Sequence, residues 1–271
     1  MFPMVKTSQF FFYALLYFSI TASTVIGQSP YKCDWAKDGL ILGSGAIIVS
    51  TAYVIDHSPS ALSLQEIKQL SIESINWFDR GAVYRSSDEA AKISDVAAGL
   101  SIAAPLVLFS DSKIRKEWRI YTLMYFETIL FSASVPSIGK GSVKRTRPFV
   151  YNPDVTLDKK TTGEARRSFF SRHTTIAFAS AVFLSTVYNN SYPDSKWTPY
   201  VWTGSLLAAG AVGYFRYEAG EHFPTDIITG AVVGSAIGYF IPHLHQINNE
   251  NDKISMTSTI FPPGIGIQIK L

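Results

Sequence analysis

The chain has 271 residues, 47% of them apolar and 17% charged, with a formal net charge of +3. So small a positive excess, with no basic tract interleaved with aromatics, argues against a nucleic-acid partner. The composition is apolar for a soluble protein and modest for a protein of many membrane spans, and the evenly spread apolar runs fit one large helical domain.

In chain order, residues 1–27 read as a secretory leader. Lys6 supplies the positive start, Phe10 to Ile20 an apolar core shorter than a ~20-residue span, and Thr21 to Gly27 a cleavage region. An uncleaved first helix is the competing reading. Residues 28–93 form an N-terminal helical region. Cys33 is the sole cysteine, so no internal disulfide forms. Within 39–55, Gly39, Gly43 and Gly45 are expected to let helices approach closely. Ser63-Leu64-Gln65-Glu66 predicts a capping box opening a short helix to Leu70. A second helix is expected around Ile72–Phe78, broken at Asp79-Arg80-Gly81, and the polar stretch 57–93 reads as a substructure of its own.

Residues 94–245 hold five apolar runs, at 94–110, 118–138, 174–187, 200–215 and 226–241, near the lower limit for crossing a ~30 Å hydrocarbon core. Glu127 lies inside the second. Residues 111–119 are basic, as in a cytoplasmic loop. The connection 139–172 is long and strongly basic, which marks a functional loop. Gly230, Gly234 and Gly238 recur every four residues and predict one smooth packing face. His243 and His245 lack nearby carboxylate or cysteine partners in sequence, so no metal site is expected there. The tail 246–271 is polar and then alternates weakly around Pro262-Pro263-Gly264, as a hairpin would.

Three polar stretches sit at the ends of these runs. His222 and Asp226 are four apart, and with a helix starting near Phe223, Asp226 is expected to hydrogen-bond the imidazole and fix its tautomer. Arg216 closes the preceding run. Histidine, carboxylate and arginine together suit chemistry on an oxyanion, although the capping of two helices in a surface loop uses the same residues. Lys140 to Pro148 follows one run and Ser171-Arg172-His173 opens another, so all three stretches are placed to meet on one face of a bundle.

Read in order, K-x6-RP, S-x-H and R-x5-H-x3-D resemble the motifs of the type 2 phosphatidic acid phosphatase and vanadium haloperoxidase superfamily, over residues 90–245. The resemblance implies an all-α multi-helix bundle, membrane-embedded or soluble and exported, that hydrolyses phosphomonoesters without metal or cofactor. It assigns Lys140, Arg147, Ser171 and Arg216 to the phosphate, His222 to nucleophilic attack with a phosphohistidine intermediate, Asp226 to orienting it, and His173 to protonating the leaving alcohol. The substrate is then a phosphorylated small molecule or a lipid, with the membrane as partner and the site on the extracytoplasmic face, opposite the basic loop 111–119. A span through 39–55 would put residues 28–38 inside, against a cleaved leader. Two positions depart from the family pattern: Arg172 stands where glycine is usual, and Phe215 where serine is usual. Arg172 keeps open a catalytically impaired phosphate- or lipid-binding protein. A vanadate-dependent haloperoxidase is the other alternative, for which the chain is short.

Overall fold

A computed structural model describes residues 29–56 and 61–247, together with the backbone of 255–261 and 264–270. The expected leader lies outside the described residues. The helices are α1 (Trp35–Asp56), α2 (Leu64–Gln69), α3 (Asp88–Ala103), α4 (Ser112–Lys116), α5 (Trp118–Val143), α6 (Pro148–Tyr151), α7 (Leu157–Lys160), α8 (Arg172–Ser191), α9 (Thr198–Glu218) and α10 (Pro224–His245). The expected hairpin forms in the tail: β1 (Ser255–Phe261) pairs antiparallel with β2 (Gly264–Lys270), Ser255 opposite Lys270.

Local chemistry sets these boundaries. Ser63 and Glu66 make the capping box at α2, with the Ser63 N–H donating to Glu66 Oε2 at 2.8 Å. The helix expected over 72–78 does not form. The chain makes a 3-10 turn at Ile72–Ser74 and another at Arg80–Tyr84. Between them the side chains of Asn76 and Asp79 bond each other at 2.7 Å, and Asn76 Oδ1 accepts the Asp79 N–H at 3.0 Å, competing with a helical ladder. Pro105, which has no N–H to donate, coincides with the change of α3 into a 3-10 segment at Ala104–Ser110.

Helix α8 is the axis of the bundle, packed against α10, α9, α5 and α3, while α1 lies along α5. The glycine face of α10 explains the closest of these contacts. A Cβ on Gly230 would stand 2.8 Å from the Ser171 carbonyl oxygen, and those on Gly234 and Gly238 would collide with the Thr175 and Ala179 carbonyls. Backbone therefore lies on backbone, which only glycine permits. Gly234→Ala should cost about 1–3 kcal/mol through forced separation of the helices. Thermal unfolding in detergent would read this, and an unchanged midpoint would show that α8 and α10 part freely. In α1 only Gly45 meets a neighbour, Leu130; a side chain at Gly39 or Gly43 would enter open space.

Among the described residues, Trp35–Ile55, Asp88–Ser110 and Pro224–His245 are long and apolar enough to cross a membrane. Leu40, Ile47, Val54, Val96, Leu100, Val107 and Val232 on these segments are all more than half exposed. Such a belt marks a membrane protein. Helices α5, α8 and α9, of 26, 20 and 21 residues, are long enough but not apolar enough to join them. Helix α8 is instead the interior helix, and buries Thr174, Thr175, Ser180, Ser185 and Thr186.

Residues 61–87 do not stand apart as a substructure. Leu62 packs with Phe149 and Val150, and Ile75, Ala82 and Val83 pack with Phe223, so this stretch wraps one end of the bundle.

Candidate active site

The wrapped end is where the polar motifs gather. Helix α5 delivers Lys140 from its last turn and stops at Lys144, which takes a left-handed conformation with φ 50°. The connection to α8 carries Arg145, Arg147 and Ser168. Helix α8 opens with Ser171 as its N-cap, α9 ends with Arg216, and α10 begins at Pro224 with Asp226 in its first turn. Gly220, at φ 68°, reverses the chain between α9 and α10, and a side chain there would strike the Arg85 carbonyl. That turn places His222 inside the mouth, 2% exposed.

His222 Nδ1 lies 2.7 Å from the Ser168 carbonyl oxygen. A carbonyl only accepts, so Nδ1 carries the proton and Nε2 keeps its lone pair. The expected hydrogen bond from Asp226 is not the one formed: Oδ2 stands 3.8 Å from Nδ1, beyond hydrogen-bond reach. Asp226 Oδ2 instead accepts from Ser168 Oγ at 2.5 Å and the Phe223 N–H at 3.0 Å. The carboxylate thus holds Ser168, and the Ser168 backbone holds the imidazole. Burial pushes the His222 pKa down to about 3; the Asp226 carboxylate works against this, and the charges of Lys140 and Arg147 add to it. His222 is neutral throughout the physiological range.

The cations expected to bind phosphate are all buried here, and each has a protein partner. Lys140 Nζ donates to the Arg167 carbonyl at 2.9 Å. Arg147 bonds Glu164 at 2.7 Å through Nη2 and pairs with Glu221 through Nη1. Arg216 pairs with Asp95 and lies 2.6 Å from His173 Nε2. His173 Nε2 is also 3.2 Å from Asp95. Ser171 Oγ accepts from Thr174 Oγ1 at 2.8 Å and so is committed to the start of α8. Arg172 turns toward α5, where its Nη2 bonds the Ser137 hydroxyl, one turn before Lys140.

Three participants are not evident from the sequence motifs. Arg145 joins two carboxylates of zero exposure, Asp226 Oδ1 at 2.6 Å and Asp79 Oδ2 at 2.7 Å, with its guanidinium 4.1 Å from the centre of the Phe223 ring. Asp79 also accepts the Thr225 N–H at 3.0 Å, anchoring the first turn of α10. Burial pushes the Asp79 carboxyl up, but bonds from Arg145 and Thr225 outweigh it and hold the pKa below the usual value. Asp95 is the third. It sits in an apolar helix, where nothing in the local sequence links it to residues 173 and 216. Asp79 carries only a helix-breaking signal, and Arg145 is one of several cations in a basic loop.

The architecture is a helical-bundle membrane protein whose bundle closes, at one end, over two histidines and a set of buried cations. The family model described as the PAP2 superfamily matches residues 121–250, so this stretch is similar to that superfamily. Among curated proteins, the lipid A 4'-phosphatase of Porphyromonas gingivalis is 30% identical over 145 residues, which is 52% of this chain and 58% of that protein. The similarity thus spans less than two thirds of the relative. Among solved structures, the crystal structure of Aquifex aeolicus LpxE aligns over 64% of this chain and 98% of its own, at 23% identity and a TM-score of 0.43.

Proposed function

We propose that this protein hydrolyses a phosphate monoester of a membrane lipid through a phosphohistidine on His222. The observation that carries the reading is a buried, neutral histidine with its Nε2 lone pair retained, in the electrostatic field of Lys140 and Arg147. In the first step Nε2 attacks phosphorus and the P–O ester bond breaks. Once Arg216 has moved from His173 Nε2 to the phosphate, that nitrogen takes up a proton beside Asp95 and passes it to the leaving alkoxide. In the second, water gives a proton to His173 and its oxygen attacks phosphorus, the N–P bond breaks with its electron pair returning to His222 Nε2, and inorganic phosphate leaves. Lys140, Arg147 and Arg216 offset the charge on the phosphoryl oxygens, which is the larger part of catalysing such transfers. Substrate takes over guanidinium bonds now made to Glu164, Glu221 and Asp95. As Arg216 shifts to phosphate, Asp95 is left to hold the His173 proton.

The lipid class is supported by the curated relative, named a lipid A 4'-phosphatase, and by a cleft. A cavity of about 640 Å³ runs along α8 from Ala177, one turn past His173, to Tyr192, with Val107, Leu108 and Val201 among its mostly apolar walls. It has the character to take an acyl chain. Lys113, Arg115 and Lys116 in α4 lie at the opposite end of α5 from Lys140. With basic loops retained inside, the reaction faces away from the cytoplasm.

The test is phosphate release in detergent micelles from a lipid phosphomonoester and from p-nitrophenyl phosphate, with and without vanadate, beside a bromination assay. Faster release from the lipid, blocked by vanadate, is expected. Bromination without phosphate release would make the protein a haloperoxidase, and phosphate binding with neither activity would make it a binding protein. Because Arg172 reaches Ser137, Arg172→Gly should change kcat by no more than about twofold, under 0.5 kcal/mol of barrier. A large rise in kcat with weaker inhibition by phosphate would show that its guanidinium occupies the substrate position.

A further inference from the structure

Far from this mouth, three buried ionisable side chains converge. Asp38 comes from the first turn of α1, Glu127 from the middle of α5 and His245 from the last residue of α10. Their exposures are 6%, 0% and 1%. Thirteen residues along α5 separate Glu127 from Lys140, about 20 Å at the helical rise. The proposed phosphatase chemistry uses none of the three.

Their ligating atoms all lie within 4.8 Å of one another. His245 Nε2 is 3.1 Å from Asp38 Oδ1 and 3.4 Å from Glu127 Oε2. Neither contact is a hydrogen bond: Asp38 Oδ1, both Glu127 oxygens and His245 Nε2 are buried without a hydrogen-bond partner. Ligand atoms about 2.0–2.1 Å from a tetrahedral ion stand roughly 3.3 Å apart, so the two histidine–carboxylate spacings fit a coordination polyhedron. The other atoms of the trio are already oriented outward. His245 Nδ1 lies 2.9 Å from the Ile241 carbonyl, which makes Nδ1 the donor and turns the Nε2 lone pair inward. Asp38 Oδ2 accepts the Asp34 N–H at 3.0 Å, leaving Oδ1 for the centre. Metal-binding histidines and carboxylates are held by this kind of outer bond.

Charge points the same way. With both carboxylates ionised and the imidazole neutral, the trio carries a charge of minus two in a low-dielectric interior, where unpaired charge is costly. A protonated imidazole would offset half of it without a hydrogen bond to either acid. A divalent cation offsets all of it. We propose that Asp38, Glu127 and His245 bind a divalent transition-metal ion of the zinc class, which ties α1, α5 and α10 together at the end of the bundle remote from the phosphate site. The absence of carboxylate partners for His245 in its local sequence is made good by residues 207 and 118 positions away.

The experiment uses the full chain in detergent, stripped with EDTA, on a Cys33→Ser background so that the thiol contributes nothing. Stripped protein should bind about one Zn2+ or Co2+ per chain and gain about 5 °C or more in unfolding midpoint at saturating ion, as ligand linkage requires. Co2+ should give visible d–d absorption. Asp38→Asn and Glu127→Gln should each weaken binding by more than the roughly 10–100-fold that losing an outer-shell contact costs. No binding of Zn2+ or Co2+ by the stripped parent protein would overturn the proposal, as would undiminished binding in both variants or an affinity for Mg2+ equal to that for Zn2+. The measurement on the parent decides even if a variant fails to fold.

Discussion

His222→Ala is expected to abolish turnover, with kcat down by at least about 10⁴-fold, the scale seen when a covalent nucleophile is removed. The imidazole is held by Ser168 O and faces the charges of Lys140 and Arg147, and the described site offers no second neutral nucleophile in that position. Trapping with phosphorus-labelled substrate should give an acid-labile phosphoenzyme in the natural protein and none in the variant. Because His222 is 2% exposed, its replacement also leaves a small cavity, so the unfolding midpoint must be recorded alongside. Turnover retained by a folded variant would remove His222 from the mechanism.

Arg145→Met should produce the largest loss of stability. Its guanidinium is the shared partner of Asp79 and Asp226, both fully buried, and removing it leaves two uncompensated carboxylates. Breaking a buried pair from one side costs about 3–5 kcal/mol. Activity should fall as well, since Asp79 anchors Thr225 and Asp226 holds Ser168, whose carbonyl orients His222. Arg145→Lys should lie between, as a lysine supplies the charge but cannot serve both acids in the same fixed fork. Unfolding midpoints of the three proteins in one detergent check this. An unchanged midpoint for the methionine variant would mean that water or another cation already screens the two acids.

The sequence was legible where the motif residues lie at a fixed spacing along one segment. Lys140 and Arg147, Ser171 and His173, and Arg216, His222 and Asp226 lie within three short stretches, and the covalent chain carries each stretch to one end of the bundle. The capping box at Ser63, the proline start of α10 and the glycine face of α10 are local patterns with local causes, and each has its counterpart in the structure.

Tertiary structure alone decided which atoms meet across long separations. The i, i+4 spacing of His222 and Asp226 allowed a direct hydrogen bond, but the chain brings the Ser168 carbonyl to 2.7 Å and leaves the carboxylate at 3.8 Å. No periodicity marks a backbone carbonyl 54 residues away. Asp95, inside an apolar helix, reaches Arg216 and His173 only because α3 packs beside α8 and α9. Likewise His245 meets Asp38 and Glu127 through the packing of α1, α5 and α10, which depends on helix orientation in space. Secondary structure follows from interactions within a few residues, whereas burial of charge is compensated by whichever partner the closed bundle brings within about 4 Å.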